Sequence, residues 1–328
     1  MQADPIDWSA VALGAIAGLA LFLFGVRMLA QALRHAQGGR FERLLRRSAS
    51  NRLGGLATGT VATVALDSSS VTIILVIAVI DAGLLPFAAA LPVILGANIG
   101  TTFSSQVFAW DLDEWSPPLL AAGLAWTALA RSDASREWGR VVLGLGLVLF
   151  GLHEVGAAAE PLEGDPRVKA WLARLEDPVL GVLAGAVATV AIQSSSAMLG
   201  IVITLAGGGL VTLPAGLAIM LGAEIGTCAD TLVAAIGRSR AAVRAGLFHL
   251  GFNIVSVAVG LLLIERLAAF AGATASGTGQ RIANAHMLFN VAGALAALPV
   301  VGTAARLLER LLPDRPSTAP LAPPKAAA

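Results

Sequence analysis

The sequence is poor in charge, cysteine and tyrosine. Only 13% of its 328 residues are charged, and 56% are hydrophobic, whereas soluble domains carry about 25% charged residues. The single cysteine, Cys228, excludes an internal disulfide bond. The net charge of +1 comes without a basic stripe, so we expect no nucleic-acid partner. Long apolar runs and a mean hydropathy of +0.79 instead predict a polytopic protein of the lipid bilayer.

An internal duplication is the main feature that the sequence does contain. The segment V-A-T-V-A-L-D-S-S-S at Val61–Ser70 returns as V-A-T-V-A-I-Q-S-S-S at Val187–Ser196, an offset of 126 residues (187 − 61). The same offset maps L-G-A-N-I-G-T at 95–101 onto L-G-A-E-I-G-T at 221–227, and L-F-G at 23–25 onto 149–151. Three blocks at one offset indicate that a whole unit is duplicated.

The apolar segments predict an all-α membrane protein built from these two units. The first repeat covers residues 1–135, with a span at 9–30, a hairpin at 55–80, a broken helix at 86–109 and a span at 117–130. The second covers residues 136–264, with a span at 139–153, a hairpin at 179–208, a broken helix at 212–236 and a span at 245–264. Residues 265–312 hold a final span at 282–303, and residues 313–328 form a Pro/Ala-rich disordered tail.

Loop charge predicts the orientation of each unit. Residues 31–54 hold six arginines and one acid, Glu42, so the positive-inside rule places this loop in the cytoplasm and the N-terminus outside. The equivalent loop at 154–178 holds six acids and three bases and is expected outside. The two repeats therefore have inverted topology in the inner (plasma) membrane, and the C-terminus is cytoplasmic.

Polar residues interrupt the segments 55–80 and 179–208 in their middle. Each arm has about eleven residues, or roughly 16 Å of helix, which is half the hydrocarbon thickness. A re-entrant helical hairpin that enters and leaves on one side fits this length. The alternative is a full crossing by each segment, which keeps the ends in place but disturbs the charge pattern between them. In the following helices, the glycines of the G-A-N-I-G and G-A-E-I-G blocks predict a break.

Inverted repeats with broken helices that meet at the midplane are typical of secondary transporters. The serines of the two hairpin tips can converge there, and helix N-termini favour anions. The alternative is that these serines only ease helix packing. The predicted substrate site consists of Ser68, Ser69, Ser70, Thr101, Gln193, Ser194, Ser195, Ser196 and Thr227.

Each unit carries one carboxylate at this depth, in exchanged positions. Asp67 stands where the second unit has Gln193, and Glu224 stands where the first unit has Asn98. The spans contain no lysine, so these acids need protons or metal cations, and oxygen ligands suit a hard cation such as sodium. A protonated acid in the core is the alternative for both, and Asp230 is open between a structural and a functional role. The predicted sodium ligands are Asp67, Asn98, Thr102, Gln193, Glu224 and Asp230.

Two further segments share the pattern H-x-x-F-N, from His249 to Asn253 and from His286 to Asn290. Histidine and asparagine four residues apart lie on one helix face. We expect them to form hydrogen bonds between helices, and the alternative is that they line the transport pathway.

At these residues the chain resembles the type II sodium-dependent phosphate cotransporter family, including its bacterial members. The marks of the family are Q-S-S-S at Gln193–Ser196 and G-A-N-I-G-T-T at Gly96–Thr102, and the similarity covers nearly all of the chain. The resemblance implies sodium-coupled transport of inorganic phosphate, with the serine hairpins binding phosphate and ions. Asp67 replaces an expected Gln and Glu224 an expected Asn, which could change the coupling ion or the substrate. We expect no PhoU-like domain, because few residues follow the final span.

We therefore expect a sodium-coupled phosphate symporter that is not an enzyme, has no cofactor beyond sodium as coupling ion, and could form oligomers. The first alternative is a proton-coupled transporter, or an exporter, of phosphate or another oxyanion such as sulfate or arsenate. The second is an intramembrane serine hydrolase that uses His249 or His286, although the chain has no G-x-S-x-G motif.

Overall fold

The computed structural model describes residues 6–37, 51–110 and 112–314, and every regular element among them is a helix. The all-α prediction is therefore confirmed over this part of the chain. Its α-helices are α1 (Trp8–Gln37), α2 (Arg52–Leu66), α3 (Ser69–Asp81), α4 (Phe87–Ala109), α5 (Ser116–Leu129), α6 (Asp133–Ala159), α7 (Pro166–Ala173), α8 (Pro178–Ile192), α9 (Ser195–Gly207), α10 (Leu213–Gly226), α11 (Cys228–Ala235), α12 (Arg240–Leu262), α13 (Ile264–Gly272), α14 (Thr278–Ala297) and α15 (Val301–Leu311).

Within the described ranges, six helical segments are long and apolar enough to cross a bilayer, as expected of a multi-pass membrane protein. The predicted span at 117–130 is not one of them. Its helix, α5, has 14 residues and covers only about 21 Å of a hydrocarbon core of about 30 Å. It packs along α6 instead. The six segments are Trp8–His35, Phe87–Ala109, Asp133–Leu162, Leu213–Ala235, Arg240–Leu262 and Thr278–Leu311.

The helix boundaries repeat the offset seen in the sequence. Helices α2 and α8 both have 15 residues, and α3 and α9 both have 13. The start of α3 at Ser69 and that of α9 at Ser195 differ by the same 126 residues (195 − 69). The two units therefore fold into the same local structures.

Helix α1 packs against its counterpart α6 through reciprocal contacts. A methyl group added to Gly25 would lie 2.7 Å from the backbone nitrogen of Val148, and one added to Gly151 would lie 2.3 Å from that of Phe22. At the 126-residue offset, Gly25 corresponds to Gly151 and Phe22 to Val148, so one contact is made twice, as across a two-fold axis. Residues later in α1 contact residues earlier in α6, so the two helices run antiparallel.

Helices α2 and α4 run in the same direction. Gly55 of α2 faces Pro92 near the start of α4, and Thr63 near the end of α2 faces Gly100. From the end of α2 at Leu66 the chain must therefore return to the level at which α2 began. Helix α3 lies on this return path, which reverses the chain between residues 66 and 69 and again before α4.

The predicted break in the helix at 86–109 is wrong. Helix α4 is continuous through Gly96 and Gly100. These glycines provide close packing instead, because a methyl group on Gly96 would lie 1.9 Å from the carbonyl oxygen of Leu56 in α2. Small residues spaced four apart commonly bring helix backbones together in membranes.

The second unit repeats this packing but does interrupt its helix. A methyl group on Gly222 would lie 2.1 Å from the carbonyl oxygen of Val182 in α8. Helix α10 ends at Gly226 and α11 starts at Cys228, with Thr227 between them. The interruption is mild, and Leu213–Ala235 still counts as one candidate span.

Each short helix after a serine tip packs against the opposite unit. Helix α3 contacts α11 and α12, whereas α9 contacts α4 and α14. Helix α14 therefore packs against α9 in the way that α12 packs against α3. Helix α5, the counterpart of α12 in the sequence, lies against α6 instead. The final predicted span therefore completes the symmetric arrangement around the two tips.

Two predictions extend beyond the described residues. The basic loop at 31–54 includes residues 38–50, and the predicted tail at 313–328 is described only as far as Asp314.

Candidate functional site

The first serine tip is a sharp reversal at Asp67 and Ser68. Asp67 ends α2 in the left-handed region (φ 49°), which non-glycine residues seldom adopt. Ser68 caps α3, because its hydroxyl oxygen accepts a hydrogen bond from the Val71 N–H at 3.2 Å. The Ser68 O–H can still donate to a ligand.

The second tip has the same geometry. Gln193 ends α8 in the left-handed region (φ 60°), and Ser194 caps α9 by accepting a hydrogen bond from the Ala197 N–H at 3.1 Å. The Gln193 side chain is exposed. Two left-handed residues at equivalent positions indicate that the fold requires this turn, because each costs about 1–3 kcal/mol.

The first tip touches the second unit. Ser70 Oγ lies 3.2 Å from Oγ1 of Thr227, the residue between α10 and α11. Asp230 lies in the first turn of α11, three residues after Thr227. Ser70 and Thr227, both predicted for the site, therefore meet, although they come from opposite halves of the sequence.

Asp67 has its partner within its own unit. The Ser104 hydroxyl of α4 donates a hydrogen bond to Oδ1 of Asp67. At the 126-residue offset Ser104 corresponds to Asp230, so the first unit places its acid at the tip and the second unit places one on the following helix. The two units therefore differ in acid content at three equivalent pairs of positions: Asp67 and Gln193, Ser104 and Asp230, and Asn98 and Glu224.

The remaining predicted substrate residues, and the predicted sodium ligand Thr102, are less accessible. Ser69, Ser195 and Ser196 are buried just inside the helix starts. Thr101 and Thr102 donate to carbonyl oxygens of their own helix, at 3.2 and 2.8 Å. Among the described residues, neither threonine forms a hydrogen bond with a tip serine.

Glu224 lies in a buried polar network between the two units. Its Oε1 accepts a hydrogen bond from Nδ2 of Asn290 at 2.7 Å and lies 2.8 Å from Nε2 of His286. The other ring nitrogen of His286 lies 2.8 Å from Oγ of Ser105 in α4. Helix α14 thereby links α10 of the second unit to α4 of the first.

Asn98 lies in the corresponding network on the other side. Its Nδ2 donates to Oδ1 of Asn253 at 3.1 Å, and Asn253 Nδ2 lies 3.3 Å from Sγ of Cys228. His249 Nδ1 lies 3.0 Å from Oγ1 of Thr231. Both H-x-x-F-N segments therefore form hydrogen bonds between helices, and both networks join the two units.

Three hydroxyl residues at the site were not predicted from the sequence: Ser104, Ser105 and Thr231. Ser105 follows Asn98 by seven residues and so lies on the same helix face. The 126-residue offset maps Ser105 onto Thr231. Spacing combined with duplication could therefore have identified this pair.

The candidate cation ligands are carboxylate and hydroxyl oxygens near the first tip. In the described part of the chain, no three His, Cys, Asp or Glu side chains group closely enough to hold a metal ion. A cation at this site would instead combine Asp67 or Asp230 with serine and threonine hydroxyls and backbone carbonyls, the ligand types that hard cations use in transporters.

Comparison with known proteins identifies relatives over 90% or more of the chain. Protein YqeW of Bacillus subtilis (strain 168), whose name states no function, is 31% identical over 295 residues, covering 90% of this chain and 96% of the relative. YjbB of Escherichia coli (strain K12), named provisionally for inorganic phosphate export, is 27% identical over 302 residues, or 92% of this chain. The chain spans 56% of that relative's length. No solved structure matches significantly.

A shorter match involves a mammalian protein. Sodium-dependent phosphate transport protein 2A of Mus musculus is 32% identical over 96 residues, which is 29% of this chain and 15% of the relative. A family model described as Na+/Pi-cotransporter matches the chain twice, at residues 21–157 and 160–296. Two consecutive matches agree with the duplicated helices described above. The chain therefore belongs to the Na+/Pi-cotransporter family.

Proposed function

We propose that this protein is a secondary active transporter that couples the movement of inorganic phosphate to that of sodium ions. Membership of a phosphate transporter family and the six candidate spans support transport across a membrane. The serine tips and the nearby acids supply the two kinds of group that an anion and a cation need.

The proposed architecture is a pair of inverted repeats, residues 1–135 and 136–264, completed by residues 265–312. The antiparallel packing of the equivalent helices α1 and α6 supports the inversion. The parallel direction of α2 and α4 supports a re-entrant hairpin, because α3 must return between them. Helices of 15 and 13 residues cover about 22 and 20 Å, less than the bilayer core of about 30 Å.

Phosphate is proposed to bind between the serine tips, at Ser68–Ser70 and Gln193–Ser196. Helices α3 and α9 each direct an N-terminus at its tip, and free N–H groups and the helix dipole at such ends favour anions. The capping serines can donate their O–H groups outward. Thr227 extends this site through its contact with Ser70, whereas Thr101 would have to release its bond to Ala97 to take part.

Sodium is proposed to bind beside the first tip, through Asp67 and Asp230. Asn98 and Gln193 would each offer their one side-chain oxygen. Glu224 would also offer only one oxygen, because its Oε1 already accepts a hydrogen bond from Asn290 and contacts His286. Thr102 would have to break its bond to Ile99. A cation here would lower the cost of holding phosphate and carboxylates together in a dry site.

The proposed location is the inner (plasma) membrane, with the N-terminus outside and the C-terminus in the cytoplasm. Arg131, Arg136 and Arg140 flank the start of α6, on the side that this orientation places in the cytoplasm. Assembly into oligomers is compatible with this arrangement.

The Ser70–Thr227 contact carries the proposal, because it joins the first tip to the interrupted helix of the other unit. The test is uptake of radiolabelled phosphate into liposomes that contain the purified protein. We expect accumulation under an inward sodium gradient and little under a matched potassium gradient. Ser70→Ala should reduce uptake roughly tenfold or more, because a hydrogen bond to a charged group contributes about 1.5–3 kcal/mol.

The control is Ser276→Ala, in an exposed turn between α13 and α14, which should transport normally. Equal uptake with and without the sodium gradient would eliminate sodium coupling. Normal uptake by Ser70→Ala would remove the first tip from the site.

Export of phosphate is a second candidate, favoured by the similarity to YjbB over 92% of this chain. Liposomes preloaded with phosphate, in which one orientation of the protein is blocked from outside, discriminate between the two directions. Faster release than uptake under physiological gradients would assign export.

A further inference from the structure

An apolar groove of about 580 Å³ runs along the outer surface of α12 and α14 and is bordered at one end by α13. Its wall includes large hydrophobic side chains that remain accessible, such as Val255, Val259 and Phe270. Gly293 widens the groove because it adds no side chain to its wall.

The groove explains the phenylalanines of the two H-x-x-F-N segments. Phe252 and Phe289 line it, whereas the adjacent Asn253 and Asn290 are buried in the polar networks. Each segment therefore has one face toward the interior of the protein and one face toward the groove. A molecule bound in the groove would therefore contact the same turns of α12 and α14 whose asparagines form hydrogen bonds between the two units.

The dimensions of the groove fit a single acyl chain. From Phe252 in α12 to Leu263 just beyond its end, the wall advances by eleven residue steps, or about 17 Å, close to the 15 Å or so of one leaflet's hydrocarbon. A hydrocarbon chain is slender enough to lie in this volume along the groove.

Charge at one end of the groove indicates the headgroup. Arg266 is the only charged side chain among the described residues that line it. On α13, Arg266 and Phe270 are exposed one turn apart, whereas Leu267 and Ala271 are buried against the protein. Arginine pairs well with phosphate oxygens, and a chain that is already in lipid gains little hydrophobic free energy on entering the groove. Selectivity must therefore come from the headgroup.

We propose that this groove binds one phospholipid with a net negative headgroup, with an acyl chain between α12 and α14 and the headgroup phosphate at Arg266. The bound lipid would cover the outer face of the two helices whose inner faces hold Glu224 and Asn98 in their networks. This site is separate from the proposed phosphate and sodium sites.

The test uses the intact protein in bilayers that contain a photoactivatable phosphatidylglycerol with the reactive group on its acyl chain. After irradiation, peptide mapping should find the label concentrated on α12 and α14. Gly293→Leu should reduce that label several-fold, because its side chain would occupy the groove. A methyl group at residue 293 would have only ordinary contacts, 3.5 Å from Ser256 Oγ, so the variant should fold. Arg266→Gln should abolish the preference for phosphatidylglycerol over phosphatidylcholine.

Matched controls separate the groove from general contact with lipid. Gly251→Leu adds the same side chain to an open position on α12 outside the groove, and Arg310→Gln removes an exposed charge from α15. Both should keep the labelling of the unaltered protein. The proposal is overturned if Gly293→Leu retains full labelling of α12 and α14, or if Arg266→Gln and Arg310→Gln have the same lipid preference. It is also overturned if cysteines at Val259 crosslink two copies efficiently while the groove remains unlabelled.

Discussion

Glu224 is only 5% exposed, yet it carries a carboxylate between two units of a membrane protein. The free-energy cost of burying this carboxylate is reduced because Asn290 donates a hydrogen bond to Oε1, the oxygen that His286 also contacts. The equivalent Asn98 makes a neutral pair with Asn253. The sequence could predict that these positions are polar and functionally suspect, because the duplication aligns them. It could not predict their partners, since α12 and α14 are brought to them only by the packing of the whole chain.

We expect Glu224→Leu to destabilise the protein, because it leaves the Asn290 and His286 nitrogens buried without their acceptor. Each unsatisfied group costs about 1–3 kcal/mol, which should lower the unfolding midpoint in detergent by several degrees. Thermal unfolding followed by fluorescence would measure this. Glu224→Gln keeps an acceptor oxygen and should be close to the unaltered protein in stability. Equal midpoints for the Leu and Gln variants would show that the network contributes nothing to stability.

At the scale of helices, close glycine contacts set the arrangement of each unit. Helices α2 and α4 approach so closely at Gly96 that a carbonyl oxygen of one occupies the position of a side chain on the other. The sequence predicted the interruptions at Asp67 and Gln193 correctly, because serines and a polar residue in an apolar run favour a helix cap. It predicted a break at Gly96 wrongly. A glycine can weaken a helix or allow a second helix to pack closely against it, and the sequence around Gly96 does not show that α2 packs there.

The same contact predicts the effect of the smallest substitution. Gly96→Ala places a methyl group 1.9 Å from the Leu56 carbonyl oxygen, so the helices must separate, at a cost of about 1–3 kcal/mol or more. The yield of folded protein and its unfolding midpoint should both fall. Gly207→Ala at the end of α9, where nothing lies within 4 Å of the added methyl group, serves as the control. Unchanged stability of the Gly96 variant would contradict the close packing.

At the scale of the molecule, neither unit is complete without the other. Helices α3 and α9 each pack against the opposite unit, and both polar networks cross between them. The sequence predicted the duplication, but not that α14 would take the place equivalent to α12. The position of α14 depends on which helices of the folded chain it can pack against, and no local sequence pattern predicts this.

A transport cycle that moves the tips relative to the helices around them should break the Ser70–Thr227 contact. Ser70→Cys with Thr227→Cys, in a Cys228→Thr background, places two thiols where hydroxyl oxygens are 3.2 Å apart. Residue 228 becomes the threonine found at its counterpart, Thr102. Because both residues belong to the proposed phosphate site, the reference is the transport that remains in the reduced double variant. Oxidation should lower this remaining transport at least tenfold, and a reductant should restore it. Each single-cysteine variant should be insensitive to oxidation. Unchanged transport after crosslinking would show that this contact persists throughout transport.

The contact between α1 and α6 has a consequence for how such a protein could arise. Because Gly25 meets Val148 in the way that Gly151 meets Phe22, each half carries both surfaces that the contact needs. A gene of half the length would have encoded a polypeptide able to pair with a copy of itself through this antiparallel helix contact. Fusion of two such genes would have fixed the pair in one polypeptide, and each copy could then specialise. The acid at Asp67 in one copy and at Asp230 in the other is the outcome that this history predicts.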